Sequence, residues 1–114
     1  MLNNCDFQGR FASDPKFFQT ADGVSRCVFT LAVDRDQKRD DGEYDTDFLD
    51  FICWRGTADF VNKYFHSGDL ATVAGARAQV HVFEDANGVK QRKVEFLVDR
   101  VYFGQSKRRE EAVD

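Results

Sequence analysis

The sequence predicts an all-β domain, and three observations carry that prediction. Apolar residues recur at every second position in five separate segments, the pattern of strands with one buried face. The dipeptides Asp22-Gly23, Asp41-Gly42 and Asn87-Gly88 fall between such segments, where Gly accepts the positive φ that tight hairpins require. Only residues 56–65 carry a helical period instead.

The first segment sets Cys5, Phe7, Gly9 and Phe11 on one face against Asp6, Gln8 and Arg10. In the second, Cys27, Phe29, Leu31 and Val33 oppose Arg26, Val28, Thr30 and Ala32. The third places Leu49, Phe51 and Cys53 inward, with Phe48, Asp50, Ile52 and Trp54 outward. Residues 56–65 then read as a helix: Ala58, Val61 and Phe65 share a face that Phe60 and Tyr64 extend. Thr57 suits its N-cap, Asp59 its first turn and Gly68 its end. The fourth segment, 70–83, turns Ala78, Val80 and Val82 inward and Gln79, His81 and Phe83 outward. The fifth sets Val94, Phe96 and Val98 against Lys93, Glu95, Leu97 and Asp99. A short helix between the third and fourth of five strands is the layout of the OB-fold, a small Greek-key barrel.

With 114 residues, 42% of them hydrophobic, the chain has the size of one domain with its own core. That domain is expected over residues 1–104, followed by a short polar, frayed tail over 105–114. No apolar run reaches the roughly 18–20 residues of a membrane span, and the N-terminus lacks a basic-then-apolar leader. A soluble, cytoplasmic protein is expected. Cys5, Cys27 and Cys53 lie far apart and inside alternating segments, so they read as small buried hydrophobes of a reducing compartment.

Nothing points to catalysis, a metal or a cofactor. His66 and His81 have no partner at metal-ligand spacing, and neither a GxSxG elbow nor a phosphate-cradling Gly-rich loop occurs. Acidic residues concentrate between Arg35 and Asp47, in what reads as a solvated hairpin tip.

The informative residues are aromatic: twelve Phe, three Tyr and one Trp. Phe7, Phe11, Phe29, Phe51, Phe65 and Phe96 fall on faces expected to be buried. Phe48, Trp54 and Phe83 instead project outward beside polar residues. Rings so placed stack on nucleobases, or else cover a subunit interface or second core. Arg10, Arg26, Arg55, Arg77 and Arg92 lie on or beside strands, and Arg35, Lys38 and Arg39 enter the long hairpin. Cations of this kind neutralise phosphates. The net charge of −4 argues against indiscriminate coating of nucleic acid while leaving room for a local basic groove.

Met1-Leu2-Asn3, Gly9-Arg10-Phe11, Asp14-Pro15, Asp22-Gly23 and the run from Phe29 to Val33 resemble the opening half of bacterial single-stranded DNA-binding proteins. Asp47-Phe48, Trp54-Arg55, Gly68, Gly75, Asn87-Gly88 and the segment from Glu95 to Phe103 continue that resemblance in order and spacing. It implies an OB-fold that assembles, usually as a homotetramer with a dimer as the alternative, and wraps single-stranded DNA with little sequence preference. By position, Phe48, Trp54 and Phe83 match the family's base-stacking aromatics. Arg10, Arg55, Arg77 and Arg92 would meet phosphates, with Arg35, Lys38 and Arg39 reaching from the hairpin.

The chain also departs from the family. Gln37 stands where many relatives carry another aromatic, Asp50 replaces a basic or neutral residue, and Phe18 replaces a frequently basic one. One extra residue lies between Gly75 and Phe83, and Arg77 reads as the bulge that absorbs it. Glu110 to Asp114 follow the barrel almost directly and lack the family's linker and hydrophobic tip, so tail-mediated recruitment of repair enzymes is not expected. The reading is a non-enzymatic, cytoplasmic, nucleoid-associated binder of single-stranded DNA that serves replication, recombination or repair. Its rival is a primosome-like assembly module with weak or lost DNA binding; an RNA-binding variant comes third.

Overall fold

The computed structural model describes residues 1–104, so the tail expected over 105–114 lies outside the described residues. In chain order the elements are β1 (Cys5–Phe11), β2 (Lys16–Gln19), β3 (Ser25–Lys38), β4 (Tyr44–Trp54), α1 (Arg55–Tyr64), β5 (Leu70–Glu84), β6 (Lys90–Leu97) and β7 (Val101–Phe103). The strands bond in the order β1-β3-β4-β6-β5-β7, and β1 also pairs with β5. Thus β1, β3, β4, β6 and β5 close a ring, with α1 between its third and fourth strands in chain order. Every pairing is antiparallel except β4–β6, which meet in parallel at Phe51↔Phe96 and Ile52↔Leu97.

Two short strands supplement the expected five. β2 runs beside the start of β3, from Lys16↔Val28 to Gln19↔Ser25. β7 exists because the last alternating segment is interrupted after Leu97. There the Val98 amide donates to the Ile52 carbonyl at 2.9 Å and the Ala74 amide donates to Arg100 at 3.3 Å. All three hairpin dipeptides lie in turns of one geometry: Gly23, Gly42 and Gly88 have φ of 80°, 86° and 76°, and their amides donate three residues back at 2.9, 2.9 and 3.0 Å. This is a type I turn closed by a left-handed residue, a longer loop than the two-residue hairpin.

Phenylalanine rings form a column through the core. Phe65 stacks on Phe11 at 5.0 Å, Phe11 on Phe29 at 4.8 Å and Phe29 on Phe51 at 5.2 Å. Phe7 and Phe96, both half-buried, close the column against Phe51 at 5.5 and 5.4 Å. Pairs of this kind contribute about 0.5–1.5 kcal/mol beyond the burial of their area. Cys27 and Cys53 are fully buried register partners, and the Cys53 thiol donates to the Cys27 carbonyl at 3.6 Å. Contact with the Cys27 side chain, and then burial, push the Cys53 thiol well above its usual range. Cys5, expected to be buried, is only partly so, at the outer end of β1.

The helix needs three corrections. Thr57 lies inside α1 and donates its hydroxyl to the Asp99 carbonyl at 2.9 Å, while Trp54 occupies the N-cap without a side-chain bond. The first turn holds no acidic residue, so Asp59 is not there. Phe65 is the C-cap; Gly68, at φ 89°, belongs to the turn that follows. Ala58 and Val61 are buried as their spacing predicts.

The extra residue of β5 sits at Gly75, not at Arg77. Cys5 faces Ala76 while Phe7 faces Val73, so one more residue lies on the β5 side. Gly75 has φ 73°, and its amide is held by the Asp6 carboxylate at 2.8 Å. From Arg77 to Glu84 the pairing with β6 is regular. The bulge keeps Ala78, Val80 and Val82 on the inner parity, yet Val80, Val82 and their neighbour Val94 are more than half exposed. Beyond Ala78 the β5–β6 hairpin extends past the ring as an arm, so no opposing layer among the described residues covers its inner face.

Candidate functional site

Alternation along β4 turns its even-numbered side chains outward, and the strand register decides what each one meets. One row across β2, β3 and β4 is Phe18, Arg26 and Trp54. The next outward row across β3, β4 and β6 is Val28, Ile52 and Leu97. Thr30 beside Asp50, and then Ala32 beside Phe48, complete the sequence. Ile52, expected among the outward-facing residues, is buried between its apolar neighbours. Phe48 is 66% exposed and Trp54 39% exposed; six residue steps along β4 separate them by roughly 20 Å.

The arm of β5 and β6 presents Phe83 on the same outer parity, 39% exposed. His81 stacks against it at 5.8 Å with ring planes 18° apart. Between arm and ring lies a groove of about 340 Å³, with Lys16, Arg26, Thr30 and Asp50 on one side and His81, Lys93 and Glu95 on the other. Phe48, Trp54 and Phe83 are all exposed on outward-facing strand positions, and the trough is reached from them through Arg26, which lies over Trp54, and His81, which stacks on Phe83. Phe48 lines a second hollow with Asp6, Gln8, Arg10, Asp34 and Asp36, so its surroundings are the more acidic.

The structure brings the aromatics to one outer surface but divides the expected cations. Arg35 is held by Asp47 at 3.1 Å, which lowers the Asp47 carboxyl chiefly through that hydrogen bond. Arg39 reaches Asp41 at 3.2 Å and Asp45 at 3.3 Å, and the Lys38 ammonium lies 5.7 Å over the Tyr44 ring. All three hairpin cations are therefore engaged within the hairpin itself. Arg77 pairs with Asp99 at 3.3 Å, and Arg10 donates to the Gly68 carbonyl at 3.0 Å. Arg92 is the register partner of Val82, which puts it on the face of the arm opposite Phe83. Arg55 has no ion pair among the described residues and adopts φ 57°, a left-handed conformation costly for a side chain other than Gly.

Three residues of the groove, Lys16, His81 and Lys93, escape the sequence reading, and a fourth, Arg26, is among the strand cations it names without giving it a phosphate. Lys16 and Arg26 have no ion pair among the described residues. The Arg26 guanidinium lies 5.8 Å from the Trp54 ring centroid and 5.8 Å from that of Phe18. Lys93 instead pairs with Asp50 at 2.9 Å. Nothing local to these residues signals their position, because it follows from long-range register. His81, on Phe83's face two residues away, was the one within reach.

The family model described as the Single-strand binding protein family matches residues 2–104. The chain is 39% identical over 103 residues to single-stranded DNA-binding protein 1 of Staphylococcus aureus (strain COL), covering 90% of this chain and 61% of that protein. It is 36% identical over 107 residues to single-stranded DNA-binding protein 3 of Listeria innocua, covering 94% and 66%. Single-stranded DNA-binding protein B of Bacillus subtilis (strain 168) is 36% identical over 114 residues, 100% of both chains. The chain therefore spans less than two thirds of several relatives and the whole length of another.

Proposed function

Because this chain belongs to the single-strand binding protein family, whose OB-fold its ring of strands fits, we propose that it binds single-stranded DNA with little sequence preference. Bases stack on Trp54, Phe48 and Phe83, and cations of the groove and its margins meet the phosphates. The reading rests above all on three aromatics exposed at outward-facing strand positions in a chain whose net charge is −4. Stacking on a ring contributes roughly 1–3 kcal/mol per base whatever the base, and an acidic chain has little else to offer a polyanion. Lys16, Arg26 and Arg55, free of ion pairs among the described residues, are better placed than Arg35 and Arg39 to neutralise phosphate. Arg10, Arg77, Arg92 and Lys38 contribute at the edges or after exchanging their present partners.

The protein acts without catalysis, in the cytoplasm and at the nucleoid, and protects unpaired strands in replication, recombination or repair. It does so as a homo-oligomer, a tetramer rather than a dimer, which light scattering resolves. No helix among the described residues is long and apolar enough to cross a membrane.

The direct test is a titration with oligo-dT followed by Trp54 emission, the chain's only tryptophan. Emission falls on binding and recovers with added salt. Unchanged emission with no retained complex in a gel shift at low salt refutes the reading. RNA and duplex of equal length serve as competitors.

A further inference from the structure

We propose that Phe18, Arg26 and Trp54 act as one nucleotide-binding platform, in which Phe18 stacks a base of its own and Arg26 holds the phosphodiester that links it to the base on Trp54. The proposal rests on the reading of the chain as a single-strand binder and adds a station to it.

The three residues stand side by side on three adjacent strands. Phe18 is the register partner of Arg26 on β2–β3, and Arg26 that of Trp54 on β3–β4. Adjacent strands lie about 4.8 Å apart, so the two rings are roughly 10 Å from each other with the guanidinium between them. That guanidinium is 5.8 Å from either ring centroid, within the range of cation–π attraction. It has no ion pair among the described residues. The carboxylates that line the groove have other partners: Asp50 is held by Lys93 and Thr30, Asp14 accepts from the Ser67 amide at 2.8 Å and Glu95 from the Gln79 side-chain amide at 3.1 Å. The charge of Arg26 is therefore available to a ligand.

Phe18 belongs to a strand of four residues and is 47% exposed, whereas its neighbour Phe17 packs against the core. An aromatic left half in solvent, with an unneutralised guanidinium beside it and a tryptophan beyond, matches an alternation of base, phosphate and base. A planar guanidinium recognises phosphate oxygens while still stacking on the rings that flank it. Lys16, on the same face of β2 and lining the same groove, continues the cationic track.

The test uses the full chain with Phe18→Leu, Arg26→Met and the parent, each checked for folding by circular dichroism. Phe18→Leu keeps apolar bulk and removes the π face. It is expected to weaken oligo-dT binding about 5- to 100-fold. Arg26→Met is expected to lower the slope of log affinity against log salt by about 0.7, the value of one phosphate contact on a single strand. It should also change Trp54 emission in the ligand-free protein. If the parent binds and Phe18→Leu binds equally well, or Arg26→Met leaves the slope unchanged, the platform is overturned while single-strand binding stands. Failure of the parent itself to bind removes both.

Discussion

The Lys93 ammonium of β6 lies 2.9 Å from the Asp50 carboxylate of β4, and the Thr30 hydroxyl donates to that carboxylate at 2.7 Å. A negative charge thus sits in the trough where a phosphodiester would run, and it occupies a cation that could otherwise meet one. Asp50→Asn releases Lys93 and removes the repulsion. Its affinity for oligo-dT at low salt should rise, and its salt dependence should steepen by about 0.7 in log–log slope. Unchanged affinity and slope would place the DNA path elsewhere.

The same ion pair makes stability depend on pH. Burial would raise the Asp50 carboxyl, but the hydrogen bonds from Lys93 and Thr30 outweigh it and hold the group below its usual range. A carboxyl held low in the folded chain contributes stability above its unfolded pKa and loses it as pH falls through the folded value. Wild type should therefore unfold at higher denaturant than Asp50→Asn from neutrality down to about pH 5, with the difference vanishing under more acid conditions. Parallel midpoints across the whole series would contradict the linkage.

Trp54→Ala should weaken single-strand binding by roughly 1–3 kcal/mol, the value of one stacked base. Phe48→Ala should do the same if its hollow, poorer in cations, carries DNA. Fluorescence anisotropy of a labelled oligonucleotide measures both. Loss at Trp54 without loss at Phe48 would confine the path to the trough.

Arg55 takes a left-handed backbone as the chain passes from β4 into α1. Gly adopts that conformation freely, while a larger L-residue pays about 1 kcal/mol. Arg55→Gly should raise the unfolding midpoint slightly and weaken DNA binding at the same time. Thermal melts and binding curves then move in opposite senses, which a merely structural residue would not produce.

Phe29 lies at the middle of the ring column, between Phe11 and Phe51. Phe29→Ala should cost about 3–5 kcal/mol in urea unfolding. A loss below 1 kcal/mol would mean that the column closes over the gap.

The ring of strands was legible because alternation is local and strong: Phe11, Phe29 and Phe51 are buried as their positions demand. The arm was not. Val80, Val82 and Val94 alternate like core residues, and only their distance beyond the closure of β1 on β5 exposes them. The outward rings at Phe48, Trp54 and Phe83 were likewise readable from parity. What parity leaves open is partnership. Whether an arginine has no ion pair among the described residues, as Arg26, or is paired, as Arg35 and Arg39 are, depends on which residues its register brings beside it. Gly75 as the bulge was hidden for a related reason: the extra residue is defined by the pairing of β5 with β1, which neither strand's own sequence records.

Asp6, by clasping the Gly75 amide, makes that bulge a phase shifter. Below it, odd-numbered residues of β5 such as Ala71 and Val73 seal the interior; above it, the even-numbered Ala76 does so and the odd-numbered ones look out. Excising the extra residue would turn everything downstream by half a repeat, swinging the methyls of Val82 out to where His81 now stands and the ring of Phe83 in to the place of Val82.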